Sequence, residues 1–157
     1  MPEIEFRTGV SDKIGYACRW LHKAYERGAG VHVLGEAADL WALDRELWVA
    51  EERGFLPHAL LGRPGADAPG HAEAMRAFTP VWLGPLAQLP PLPPRRGPAL
   101  LLNLGEPPPA DAGALAAYER VIELVGTDPV DAQAGRLRWR AYLALGLTPH
   151  HLAEGTT

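Results

Sequence analysis

The residues that most hydrolases and transferases need are scarce in this chain. Its single serine, Ser11, stands in no GxSxG setting and is accounted for as a helix cap. Its single cysteine, Cys18, excludes an internal disulfide and a cysteine-based zinc site, and reads as a buried thiol. The six histidines do not pair at metal-ligand spacing. His22, His32, His58 and His71 are isolated, and His150 and His151 are adjacent, so on a helix they point about 100° apart. The turn after the first apolar stretch, TGVSDK, carries Gly9 alone, with neither GxGxxG nor GxxxxGK[ST] to cradle a phosphate. Positive charge is also short: the formal net charge is −4, which argues against a broad nucleic-acid surface and leaves little or no direct DNA binding to expect. The apolar runs, such as Ala99–Leu102, are too short for a bilayer, and MPEIEFRTG has no basic stretch leading into an apolar one. These absences lead to the expectation of a cytoplasmic protein, not an enzyme, with no cofactor, no metal and no membrane association. They favour an interaction protein.

What is present is an ordinary globular composition, 47% hydrophobic and 22% charged. A length of 157 residues suits one domain spanning 1–157. EIEFRT (3–8) alternates as a strand, with Ser11 or Asp12 capping a helix to about Arg27 that Gly28 and Gly30 end. Val31–Leu34 reads as a buried strand, and Glu36 to about Val49 as a helix carrying Leu40, Leu43 and Leu47. Short strands are predicted in GFLPHALLG (54–62), PVWL (80–83), ALLLNL (99–104, placed mid-sheet) and VIELV (121–125). Asp111 is set to cap a short helix through Ala117, and 131–146 forms the last helix. Gly- and Pro-rich loops occupy about 63–79 and 84–98. The PxxPxR pattern of Pro90, Pro93 and Arg95 in the second of these is read as a stiff connector rather than a ligand for SH3-type modules. Strands alternating with helices predict an α/β fold: an open, mostly parallel sheet with helices on both faces, Rossmann-like without its phosphate loop.

The last helix carries the most pointed chemistry. In DAQAGRLRWRAYLALG, a stripe of Leu137, Ala141, Ala144 and Leu145 is the expected core face. Trp139 and Leu143 fall on the opposite side, flanked by Arg136 and Arg140; with Arg138, these arginines make a local basic spot. An indole between two guanidiniums suits a ligand that is apolar and anionic at once. The plainer alternative is that a neighbouring element covers Trp139 and the arginines are solvated charges.

Three stretches in order, EFRTGVSDKIGYACRWLHKAYERGAGVHVL (5–34), ALDRELWVAEERGFLPHALLG (42–62) and RLRWRAYLALG (136–146), resemble the chi subunit of bacterial DNA polymerase III. The resemblance covers most of the chain. It implies a nucleotide-binding-like fold without the nucleotide site, association with the psi subunit and thereby the clamp loader, and a grip on the acidic C-terminal tail of single-stranded DNA-binding protein. By that resemblance Arg136 meets the tail's terminal carboxylate, Trp139 and Val125 wall a pocket for its aromatic ring, Leu143 extends this surface, and Arg140 meets acidic residues upstream. Ala132 and Leu143 stand where some relatives carry basic residues, which implies a weaker or less salt-sensitive grip.

A second cluster, Trp48, Phe55, Pro57 and His58, has two readings: residues closing the second helix onto the sheet, or a partner-docking surface. Two further alternatives are a nucleotide-binding enzyme or switch using the sheet crevice, and a single-strand DNA binder stacking bases on Trp139.

Overall fold

The computed structural model describes residues 1–50, 54–62 and 78–153. Residues 63–77 of the loop predicted at about 63–79, with His71, lie outside the described residues. Among the described residues seven parallel strands form one sheet: β1 (Glu3–Val10), β2 (Gly30–Leu34), β3 (His58–Leu60), β4 (Val81–Leu83), β5 (Ala99–Asn103), β6 (Arg120–Gly126) and β7 (His150–Ala153). Their spatial order is β3-β4-β2-β5-β6-β1-β7. The most apolar strand, β5, lies in the middle and is buried along its whole length, as expected of a strand covered on both faces.

Among the described residues three helices cover the sheet: α1 (Lys13–Glu26), α2 (Ala37–Val49) and α3 (Pro129–Ala144). The period-2 alternation of strand side chains sorts the core into two layers. Val31, Val33, Leu100, Leu102, Ile122 and Leu124 meet Ala17, Cys18 and Leu21 of α1 and Leu40, Leu43 and Leu47 of α2. On the other face Ile4, Phe6, Leu101, Val121 and Val125 meet Tyr142 of α3, with Leu115 and Tyr118. Asp12, rather than Ser11, caps α1, accepting from the Gly15 N–H at 3.0 Å. Asp111 caps a single 3-10 turn, Ala112–Leu115, in place of the expected short helix. The connector at 89–94 runs along the sheet: Leu89 and Leu92 pack on the second layer and Pro93 is buried, which agrees with a structural strap.

Two expectations are corrected. His150 and His151 lie not on a helix but on β7, an edge strand that pairs with β1 in register Phe6↔His151. The buried face of α3 is Gly135, Arg138 and Tyr142; of the expected stripe of Leu137, Ala141, Ala144 and Leu145, Leu145 at the helix end is half-buried against the second layer, while Ala144 is exposed and Leu137 is 55% exposed. The reason is steric and electrostatic. Gly135 lets the helix backbone lie against Val125, and a Cβ there would fall 2.7 and 2.9 Å from the two Val125 methyl carbons. Arg138 is buried because it has a buried partner, described below.

Gly135→Ala therefore forces a clash with a stiff β-branched side chain. It should lower stability by about 1–3 kcal/mol in urea denaturation, and combining it with Val125→Ala should restore part of the loss. An unchanged midpoint for Gly135→Ala would contradict this packing.

Candidate functional site

The site rests on a buried polar cluster between β6 and α3. Glu123 is wholly buried. Its carboxylate accepts from Arg138 Nε at 2.7 Å, from Asn103 Nδ2 at 2.8 Å and from the Tyr142 hydroxyl. Burial pushes the Glu123 carboxyl up, and the Arg138 guanidinium with the Tyr142 and Asn103 donors opposes that push. Arg138 also donates from Nη2 to the Leu124 carbonyl at 3.2 Å. Tyr142, buried and beside this carboxylate, is raised well above the ordinary phenol value. Arg138 is thus a structural cation and no part of a surface basic spot, which corrects the sequence-based expectation.

The start of α3 is pinned a second time. Asp128 caps it, accepting from the Val130 N–H at 3.1 Å. Asp131 accepts from the Gly126 N–H at 2.6 Å and from Lys13 Nζ at 3.0 Å, and Lys13 also reaches the Leu104 carbonyl. Partial burial acts to raise the Asp131 carboxyl, but the Gly126 N–H and Lys13 outweigh it, and its pKa is lowered.

This clamping sets the outer half of α3 over the carboxyl ends of β1 and β6. Between them and β7 lies an open groove of about 730 Å³. Trp139 stands half-buried in it, its ring 5.0 Å from Phe6, so the indole leans against the sheet instead of turning fully away. Val125, Gly135 and Ala132 complete the apolar wall. Arg136 and Arg140 stand exposed on the rim. Arg136 donates from Nε and Nη2 to the neutral Gln133 amide oxygen at 3.1 and 2.7 Å, so its charge is not cancelled by that partner. Four of the five residues named from sequence, Arg136, Trp139, Arg140 and Val125, therefore line one groove. Leu143 does not: it is exposed beyond the lining. Sequence reasoning missed Phe6, Thr8, Gly9 and His151, which form the far wall, with Thr8 Oγ1 and His151 Nε2 2.5 Å apart. The alternation of β1 marked Phe6 as buried but gave no sign that an edge strand would bring His151 beside it.

The second cluster divides. Trp48 and Phe55 are 49% and 62% exposed, which removes the reading of them as core residues. Their rings lie 5.5 Å apart, and Trp41 and Val49 extend the apolar surface along α2. His58 is buried beneath, its Nδ1 donating to the Leu56 carbonyl at 2.8 Å, its Nε2 3.1 Å from Asp44, and its ring 4.9 Å from Trp48. Burial lowers the His58 pKa. Pro57 is half-buried between these residues in sequence.

The sheet crevice at the carboxyl ends of β2 and β4 is a cleft of about 780 Å³ with mainly apolar walls, including Leu34, Leu86, Leu89 and Pro107. His32 at its base accepts from the Tyr118 hydroxyl at Nδ1 (2.6 Å) and donates from Nε2 to the Pro90 carbonyl (2.8 Å). Burial lowers the His32 pKa and pushes the Tyr118 phenol up to about 12. Both imidazole nitrogens are engaged internally, and among the described residues no lysine or arginine lines the cleft, so those residues offer a phosphate no counter-charge. Among the described residues no group of three or more His, Cys, Asp or Glu is placed to hold a metal ion, and no helix is long and apolar enough to cross a membrane.

The family model for the DNA polymerase III chi subunit, HolC, matches residues 1–150. A protein of Pseudomonas aeruginosa, DNA polymerase III subunit chi, is 34% identical over 145 residues, covering 90% of this chain and 88% of the relative.

Two expectations concern the clamp. Removing one partner of the buried pair, as in Glu123→Gln or Arg138→Met, should cost about 3–5 kcal/mol in urea denaturation, and the double replacement Glu123→Leu/Arg138→Met should cost less than either single change. Additive losses would show that the pair is not coupled. Asp131, with its folded-state pKa lowered, contributes stability that is present above its unfolded value near pH 4 and is lost as pH falls through the folded value. Asp131→Asn should therefore be less stable than wild type at pH 7, with the gap closing as pH falls below about 4. A gap independent of pH would contradict the assignment.

Proposed function

The chain belongs to the DNA polymerase III chi-subunit family, and from that premise we propose that it is a non-catalytic accessory subunit holding the acidic C-terminal tail of single-stranded DNA-binding protein in the α3 groove. The observation that carries this reading is the pairing of a half-buried indole with two exposed guanidiniums, neither of which faces a carboxylate among the described residues. An aromatic side chain at the tail's end fits between Trp139, Phe6 and Val125. The terminal carboxylate fits the planar fork of Arg136, which gives up only a neutral Gln133 contact to take it. Arg140 faces acidic residues further along the tail, where long-range attraction adds on-rate more than affinity. Departures at Ala132 and Leu143 leave the rim with fewer charges, and anchoring falls on Arg136 and Trp139.

A separate surface is needed for a second partner, and the Trp41, Trp48 and Phe55 patch supplies it. Exposed aromatic side chains this close together are unusual for a free surface and are typical of interface anchors. We assign this patch to the psi subunit, with His58 and Pro57 as its support, so that one chain links single-stranded DNA-binding protein to the clamp loader. The two surfaces lie on opposite faces of the sheet: α2 packs with the first core layer and α3 with the second.

Isothermal titration with a tail peptide should give micromolar affinity, about −8 kcal/mol. Arg136→Ala should weaken it by a factor of about 30 or more, while Trp48→Ala/Phe55→Ala leaves it unchanged and abolishes psi binding. Wild-type affinity in Arg136→Ala would move the tail to another site.

A further inference from the structure

Beyond the two protein-binding surfaces, the fold gathers cations that are scattered in sequence. A cleft of about 380 Å³ on the α1 side of the sheet is lined by Arg7, Trp20, Lys23, Arg27 and Arg120, with Glu119 the acidic residue of the lining. These positions come from β1, from α1 and its end, and from the start of β6. Arg7 is paired with Glu5 at 2.7 Å and donates to the Tyr16 hydroxyl; Arg120 has Glu3 only at 3.9 Å, both side chains being exposed. Lys23 and Arg27 are exposed, and neither side chain has a hydrogen-bonding or ionic partner among the described residues. One role for them is to offset the carboxyl-end dipole of α1, but that dipole amounts to about half a charge and two full cations exceed it. Arg96 adds a further cation beside the α1–β2 turn, its Cβ facing Gly28. In a chain of net charge −4, this concentration calls for an anion.

We propose that this cleft takes a phosphodiester of single-stranded DNA, with Lys23 and Arg27 on the phosphates and a base against the half-buried indole of Trp20. The α3 groove differs in kind: it is an apolar slot with cations at its rim, suited to a peptide tip. Here most of the exposed lining is polar and the space admits one nucleotide unit, the combination of backbone cations and stacking platform that sequence-tolerant strand binding uses. The contact is small and weak, which is compatible with the acidic composition that argues against a broad nucleic-acid surface. It would let the subunit touch template strand while its other surfaces hold protein.

The test is fluorescence anisotropy of a labelled oligo(dT) of about 15 nucleotides at low salt, with the full chain and no other protein present. Wild type should bind with a log–log salt slope of about −1.4, corresponding to roughly two phosphates at about 0.7 each. Lys23→Glu/Arg27→Glu, at exposed positions, should weaken binding at least about tenfold with an unchanged near-ultraviolet circular dichroism spectrum, and Trp20→Phe should weaken it less. Arg136→Ala/Arg140→Ala should bind as wild type. No binding by wild type at low salt, or loss in the Arg136/Arg140 variant with retention in the Lys23/Arg27 variant, would overturn the proposal. Displacement of the oligonucleotide from wild type by an acidic peptide that no longer binds Lys23→Glu/Arg27→Glu would reassign the cleft to a peptide and overturn it equally.

Discussion

The pairing of Glu123 with Arg138 beneath α3 is the interaction on which the rest of this structure depends. A carboxylate on a central strand and a guanidinium on the covering helix are both out of water, and each is tolerable only because the other is there. Their bond fixes the rotation of α3 about its own axis. With Arg138 pointing to the sheet, residues two before and two after it must point outward, and the intervening Trp139 must fall at the flank. The groove that holds Arg136, Trp139 and Arg140 is therefore a geometric consequence of one buried ion pair, assisted by Gly135, which lets the helix sit close enough for that bond to form.

This dependence explains which features were legible in the sequence. Strands and helices with strong period were read correctly in type and position: the alternation of Ile4 and Phe6, the run Ala99–Leu102, and the spacing of Leu40, Leu43 and Leu47 each report a local preference that tertiary packing reinforces. The face of α3 was misread because its period is contradictory. Leucine at 137 invites burial and arginine at 138 invites exposure, yet the structure reverses both. What decides the matter is a carboxylate fifteen residues upstream on β6, and no local pattern announces a contact of that kind. β7 was missed for a related reason: HHLA has neither alternation nor branched residues, and its strand conformation is imposed by pairing with the edge of β1.

The candidate site was legible in its chemistry and less so in its shape. An indole between guanidiniums is a sequence-level signal that survives folding, because it depends on residue type and spacing along one helix. The opposite wall, with Phe6, Thr8 and His151, depends on topology and has no such signal. For the second cluster the residues were identified while their exposure stayed open between two readings; the structure places Trp48 and Phe55 in solvent and His58 beneath them. An adaptor needs surfaces that do not interfere with one another, and a sheet covered on both faces provides that separation, since α2 and α3 can each present a ligand surface with the strands between them.

The five tryptophans, at 20, 41, 48, 82 and 139, offer the most direct measurement of where an anionic tail tip binds. Their indole N–H signals can be followed by nitrogen-15 NMR while a short acidic peptide ending in an aromatic residue with a free carboxylate is added. The Trp139 signal should move in a saturable way, with Trp41 and Trp48 unmoved. Saturable movement of Trp41 or Trp48 with Trp139 stationary would contradict it.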